Sequence, residues 1–141
     1  MTPAQEAEVL AANAAFYEAF DQRDMDAMER LWANQVPVCC IHPGWGPLFG
    51  RHDVLESWQS ILNGPGAPRI TCSNPVVHLA TDDSAFVVCV EVLPGGAMAA
   101  TNVFVREDGS WRIVLHHAGP MARLPLADDD DGDGNGKQTL H

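Results

Sequence analysis

Between residues 4 and 22 apolar side chains return every three or four positions, at Val9, Leu10, Phe16, Tyr17 and Phe20, which is the spacing of one helix face. Asn13 falls in the same stripe, a polar side chain where the helix is expected to be buried. Asp24 then offers an N-cap for a short second helix with Met25, Met28, Leu31 and Trp32 inward, so the two helices form a hairpin. Val36 to His42 is strand-like, and Pro37 predicts an edge position because proline cannot donate to a ladder. His42-Pro43-Gly44-Trp45-Gly46-Pro47 continues no regular element and is a structured loop. Gly50 opens a third helix with Val54, Leu55, Trp58, Ile61 and Leu62 on one side, and Asn63-Gly64-Pro65-Gly66 stops it. From there the period drops to two. Ile70–Ala80, Ala85–Leu93, Ala97–Arg106 and Trp111–Ala118 read as four strands, joined by short turns that make antiparallel neighbours. Three helices followed by a meander predict an α+β fold with helices on one face of a curved sheet.

Composition divides the chain once. The 141 residues carry a formal charge of -11; the last fourteen hold five Asp and one Lys, and the body holds fourteen acids against seven Arg. The body, residues 1–125, is expected to be one domain, and residues 126–141 a disordered acidic tail with nothing apolar to bury. Asp129, Asp131, Asp133 and Gly134 imitate the opening of a calcium loop, but Leu140 stands where the bidentate Glu belongs. Net negative charge without a basic run argues against nucleic acid and membrane surfaces as partners. No apolar stretch approaches the roughly 18 residues of a membrane span. Met1-Thr2-Pro3-Ala4-Gln5-Glu6 lacks the regions of a secretion signal, so a cytoplasmic location is expected. Cys39, Cys40, Cys72 and Cys89 lie in apolar strand-like runs and are expected as buried free thiols. Cys39, Cys40, His42 and His52 alternate in direction and make no metal site, so none is expected.

Several motifs resemble the SnoaL-like branch of the nuclear transport factor 2-like superfamily. They are Leu31-Trp32 ending the hairpin, His42-Pro43-Gly44, Gly50-Arg51 before a helix with Val54, Leu55 and Trp58, and the ending Asp108-Gly109-Ser110-Trp111-Arg112-Ile113-Val114-Leu115-His116-His117. The resemblance covers roughly residues 5–120. It implies a cone-shaped barrel of one strongly curved, mainly antiparallel sheet with the three N-terminal helices on its concave side. It also implies a homodimer through the outer sheet face and a pocket between the concave sheet and the first helix. That fold serves polyketide cyclases, ketosteroid isomerases, dehydratases and the noncatalytic association domain of calcium/calmodulin-dependent kinase, so fold alone does not choose a function. The aspartate used as acid/base by the cyclases and isomerases has no matched position here.

Glu91 is the most informative residue, being the single charged side chain in the nine residues of Ala85–Leu93 and sharing a face with Ala85, Val87 and Cys89. Burial raises a carboxyl pKa toward neutrality, which is how a glutamate becomes a general acid/base. The alternative is a strand-end Glu facing water or an Arg. His117 shares the alternation of Trp111, Ile113 and Leu115; if that face is concave, His117 enters the pocket as a second catalytic candidate, the alternative being a structural imidazole. Asn102 and Glu91 match, by the resemblance, positions where the kinase association domain carries pocket arginines. Tyr17 matches the helix tyrosine with which related isomerases donate to a carbonyl. Tyr17, Asn102 and the loop residues His42 and Trp45, which could roof the pocket, are ligand-binding candidates; the alternatives are a tyrosine with its hydroxyl in water, a core amide satisfied by backbone and, for Trp45, packing alone. No phosphate loop, dinucleotide fingerprint or nucleophile-base pair is visible, and no cofactor is expected. The expected function is binding of a mostly apolar small molecule with a carbonyl or hydroxyl, with cofactor-independent isomerisation, cyclisation or dehydration as the chemistry. A noncatalytic ligand-binding or dimerisation module is the competing expectation.

Overall fold

Thr2 starts the first helix, α1 (Pro3–Asp21), by a reciprocal cap: its Oγ1 accepts from the Gln5 backbone N–H at 3.1 Å and its own N–H donates to Gln5 Oε1 at 3.0 Å. Asp24 caps α2 (Met25–Leu31) by accepting from the Ala27 N–H at 3.0 Å, an interaction worth about 1 kcal/mol. The computed structural model describes residues 2–122, so the acidic tail and its calcium-loop imitation lie outside the described residues. After β1 (Cys39–Ile41) and the two-residue β2 (Leu48–Phe49), α3 (Arg51–Asn63) begins at Gly50, whose φ of 91° suits glycine and whose N–H donates to Val38 O at 3.0 Å.

The meander follows as expected: β3 (Thr71–Thr81), β4 (Ser84–Leu93), β5 (Gly96–Glu107) and β6 (Ser110–Pro120). Asp108-Gly109 joins the last two with φ of 51° and 79°, a pair of positive values that suits a tight hairpin between twisted strands. The sheet runs β2-β1-β6-β5-β4-β3, antiparallel except for β1 beside β6, and it stays open rather than closing into a barrel. Because β2 covers one side of β1, the first strand is not an edge, and Pro37 lies before it, outside the ladder.

α1 crosses the inner face of this sheet and buries Val9, Asn13, Phe16, Tyr17 and Phe20 there, while α2 contributes Met28 and its cap Trp32. Phe16, Met28, Trp32, Phe104 and Ile113 are buried almost completely, each worth up to about 3 kcal/mol in apolar surface removed from water. All four cysteines are free; Cys40 and Cys89 are buried, and Cys39 and Cys72 half-buried. Among the described residues no helix is long and apolar enough to cross a membrane.

Candidate functional site

The inner face of β4 carries Ala85, Val87, Cys89 and Glu91, and across the ladder β5 supplies Ala100 opposite Cys89 and Asn102 opposite Val87. β6 then places His116 opposite Asn102. His117 therefore does not enter the pocket: it is exposed on the outer face opposite Thr101, and His116, 3% exposed, takes the inner place. The Trp111 face is the concave one, but the ladder slips at Val114. Leu115 pairs with Val103 and Ile113 with Phe104, so Val114 is an extra residue and the alternation inverts beyond it.

Between α1, α3, the 42–47 loop and the sheet lies a cavity of about 300 Å3. Its walls are apolar, with Phe16, Phe20, Trp58, Ile61, Ile70 and Met98 prominent, and its polar lining comes from Tyr17, His42, Glu91 and His116. Trp45 also lines it while remaining 48% exposed, which places it at the mouth, edge-on to His42 with ring centroids 4.7 Å apart. Tyr17, His42, Trp45 and Glu91 are thus brought together in the wall of this cavity. Asn102 does not touch the cavity; it lies one layer behind, fully buried.

Glu91 is 2% exposed, and burial holds its carboxyl above the ordinary range, with the Tyr17 hydrogen bond pulling part of the way back. The Tyr17 hydroxyl donates to Glu91 Oε2 at 2.7 Å and accepts from Asn102 Nδ2 at 3.2 Å. Having spent its one proton on Glu91, it accepts from the Cys89 thiol at 3.3 Å. Burial, with Glu91 alongside, pushes the Tyr17 phenol far up, so it stays protonated. His116 Nδ1 meets Asn102 Oδ1 at 2.6 Å, and its Nε2 faces Glu91 Oε2 at 4.0 Å. Burial, reinforced by the imidazoles of His42 and His117, pushes His116 down to about 3, and burial alone takes His42 down to about 4. Both are neutral imidazoles at physiological pH. His42 donates through Nε2 to Ser57 Oγ at 2.8 Å, because the Ser57 proton is committed to Val54 O at 2.7 Å.

Sequence reasoning missed His116, whose signal was hidden by the bulge, and Ser57, which carries none. Asn13 was visible as a polar break in an apolar stripe. Its Oδ1 accepts from Asn102 Nδ2 at 2.8 Å. His52, Asp53 and Glu56 bring ligand-type atoms together on α3 but stand in solvent and do not line the cavity.

The site is thus an apolar cavity under an open α+β sheet, with one buried carboxyl and two neutral imidazoles in its wall. Residues 9–123 match the profile of the SnoaL-like domain, and the chain belongs to that family. A candidate dehydratase of the nuclear transport factor 2-like family from Streptomyces avermitilis superposes with a TM-score of 0.77 at 34% identity, covering 86% of this chain and 100% of that one. A candidate calcium/calmodulin-dependent protein kinase type II association domain from Thiobacillus denitrificans is 38% identical with a TM-score of 0.69, covering 79% and 93%. The F-box protein SKIP8 of Arabidopsis thaliana is 34% identical over 116 residues, 80% of this chain and 49% of that protein, so this chain spans about half its length.

Proposed function

We propose that the cavity binds a mostly apolar small molecule carrying a carbonyl and a hydroxyl, and that Glu91 moves a proton on it in a cofactor-independent dehydration. The observation that carries the reading is a carboxyl with a raised pKa in the wall of an apolar cavity, held by Tyr17 at 2.7 Å. In the ionised form Glu91 removes the proton next to the carbonyl. The same carboxyl then delivers it to the departing β-hydroxyl, giving a carbon-carbon double bond and water, with Glu91 returned to its starting state. Tyr17 steadies the carboxylate before the first step and after the second. The candidate dehydratase at 34% identity supports this choice over isomerisation or cyclisation. A phenyl-substituted β-hydroxy ketone, followed by absorbance of the conjugated enone, is the assay; Glu91→Gln is expected to lose at least about a hundredfold in turnover. Turnover equal to the parent's overturns the role of Glu91.

A second reading, a noncatalytic ligand-binding or dimerisation module, is favoured by the 38% identity to the association-domain candidate. Both readings include a homodimer through the outer face, supported by the exposed Val76, Phe86, Val88 and Val92 on β3 and β4. Sedimentation is expected to show a dimer that Val88→Asp converts to folded monomer; a monomeric parent protein overturns it.

A further inference from the structure

We infer that Asn13 and Asn102 are positioning residues that lock the tautomer of His116, leaving its Nε2 as a bare acceptor in the cavity wall that selects a ligand hydroxyl. The ligand half of this inference rests on the binding reading above; the tautomer half stands on the side-chain network alone.

The network has one arrangement in which both amide protons of Asn102 are used. Asn102 is completely buried, and one end of its amide has two partners, Asn13 at 2.8 Å and Tyr17 at 3.2 Å, while the other end has one, His116 at 2.6 Å. An amide nitrogen carries two protons and an amide oxygen none. Nitrogen at the two-partner end pairs both protons; nitrogen at the His116 end leaves one N–H buried without an acceptor. Asn13 sets this orientation by presenting Oδ1, and its own Nδ2 points to Cys72 Sγ at 3.6 Å. Asn102 Oδ1 then faces His116, and an oxygen that only accepts requires the proton on Nδ1.

A neutral imidazole protonated at Nδ1 has a lone pair at Nε2. That atom belongs to a residue lining the cavity and lies 4.0 Å from Glu91 Oε2, too far for a direct hydrogen bond. A ligand hydroxyl placed there donates to Nε2 and turns its oxygen lone pairs toward Glu91, the group that protonates it. A ligand ether or carbonyl oxygen at the same point meets a lone pair and is rejected. Proton delivery and hydroxyl selection thus come from two side chains fixed in complementary states.

The test is a long-range nitrogen-proton NMR spectrum of the 15N-labelled whole chain, which distinguishes protonated from bare ring nitrogens of His116. The expected result is a protonated Nδ1 and a bare Nε2, and a protonated Nε2 overturns the lock. Asn13→Leu is expected to populate the other tautomer, whereas Asn13→Asp, which keeps the acceptor, preserves the native one; a tautomer unmoved by Asn13→Leu removes Asn13 from the proposal. For selection, a naphthol is compared with its methyl ether by titration calorimetry. The naphthol is expected to bind about tenfold more tightly, a preference that His116→Phe abolishes. Equal affinities overturn hydroxyl selection while leaving the binding reading intact. Binding of neither compound overturns that reading and the selection with it, whatever the NMR result.

Discussion

Glu107 and Glu91 are both buried carboxyls on adjacent strands, 6% and 2% exposed, and the fold surrounds them in opposite ways. At the end of β5, Glu107 accepts from the backbone N–H groups of Asn34 at 3.0 Å and Gln35 at 2.7 Å, stitching the chain after α2 to the sheet. Burial acts to raise its pKa, but those main-chain donors, Val36 and nearby Arg112 outweigh burial and hold it low. Glu91 has one donor, Tyr17, and an apolar cavity on its other side, so burial wins and its pKa rises. One carboxyl completes the structure as an anion; the other is held where ionisation is costly. The second arrangement suits the proton exchange proposed above for Glu91.

Substitution should separate the two. Glu107→Leu leaves two or three backbone N–H groups without their acceptor and is expected to cost about 2–3 kcal/mol in urea unfolding at neutral pH. Glu91→Gln keeps an acceptor for Tyr17 and removes the ionisable group, so its stability is expected within about 1 kcal/mol of the parent, even though turnover is lost. A Glu91→Gln protein destabilised as much as Glu107→Leu would place both carboxyls in the structural class.

The pH dependence sharpens the contrast because the signs differ. Glu107, depressed in the folded state, contributes stability present above its unfolded pKa of about 4.5 and lost as pH falls through the folded value. His42 and His116, depressed from 6.5 to about 4 and about 3, act in the same direction, their contribution fading as pH falls below 6.5. Glu91 is raised, so the folded state holds its proton longer than the unfolded chain, and its contribution is lost as pH climbs from about 4.5 through the folded value. As pH climbs from about 4.5 to the folded value of Glu91, its contribution runs against that of the two histidines and leaves a declining component. Glu91→Gln is expected to flatten it, and Tyr17→Phe, by removing the donor that lowers Glu91, to extend it to higher pH. A difference between parent and Glu91→Gln that stays constant from pH 5 to 8 rules out a raised Glu91.

How much of this was legible follows from what each signal depends on. The helix stripe, the Asp24 cap and the four-strand meander are set by local period and turn chemistry, so they appear where expected to within a residue or so at most ends. Glu91 was legible for the same reason: one charge against an apolar strand, with parity unbroken from Ala85. β2 is two residues long and exists through its pairing with Cys39 and Cys40, which no local pattern announces. The role of Asn102 was out of reach because it depends on Asn13, 89 positions away.

The smallest expected effect tests the least legible feature. Parity carried from Trp111 places His117 inside, and the extra residue at Val114 puts His116 there instead. Nothing in the run Ile113-Val114-Leu115 distinguishes a bulged residue from a paired one, because all three are apolar and suit a strand. His117→Ala, on the exposed face, is expected to change unfolding free energy by no more than about 0.5 kcal/mol and to leave naphthol binding unaltered. His116→Ala removes a side chain 3% exposed, orphans Asn102 Oδ1 and is expected to weaken both. The reverse outcome would mean that the strand runs without its bulge and that the cavity is built on the other histidine.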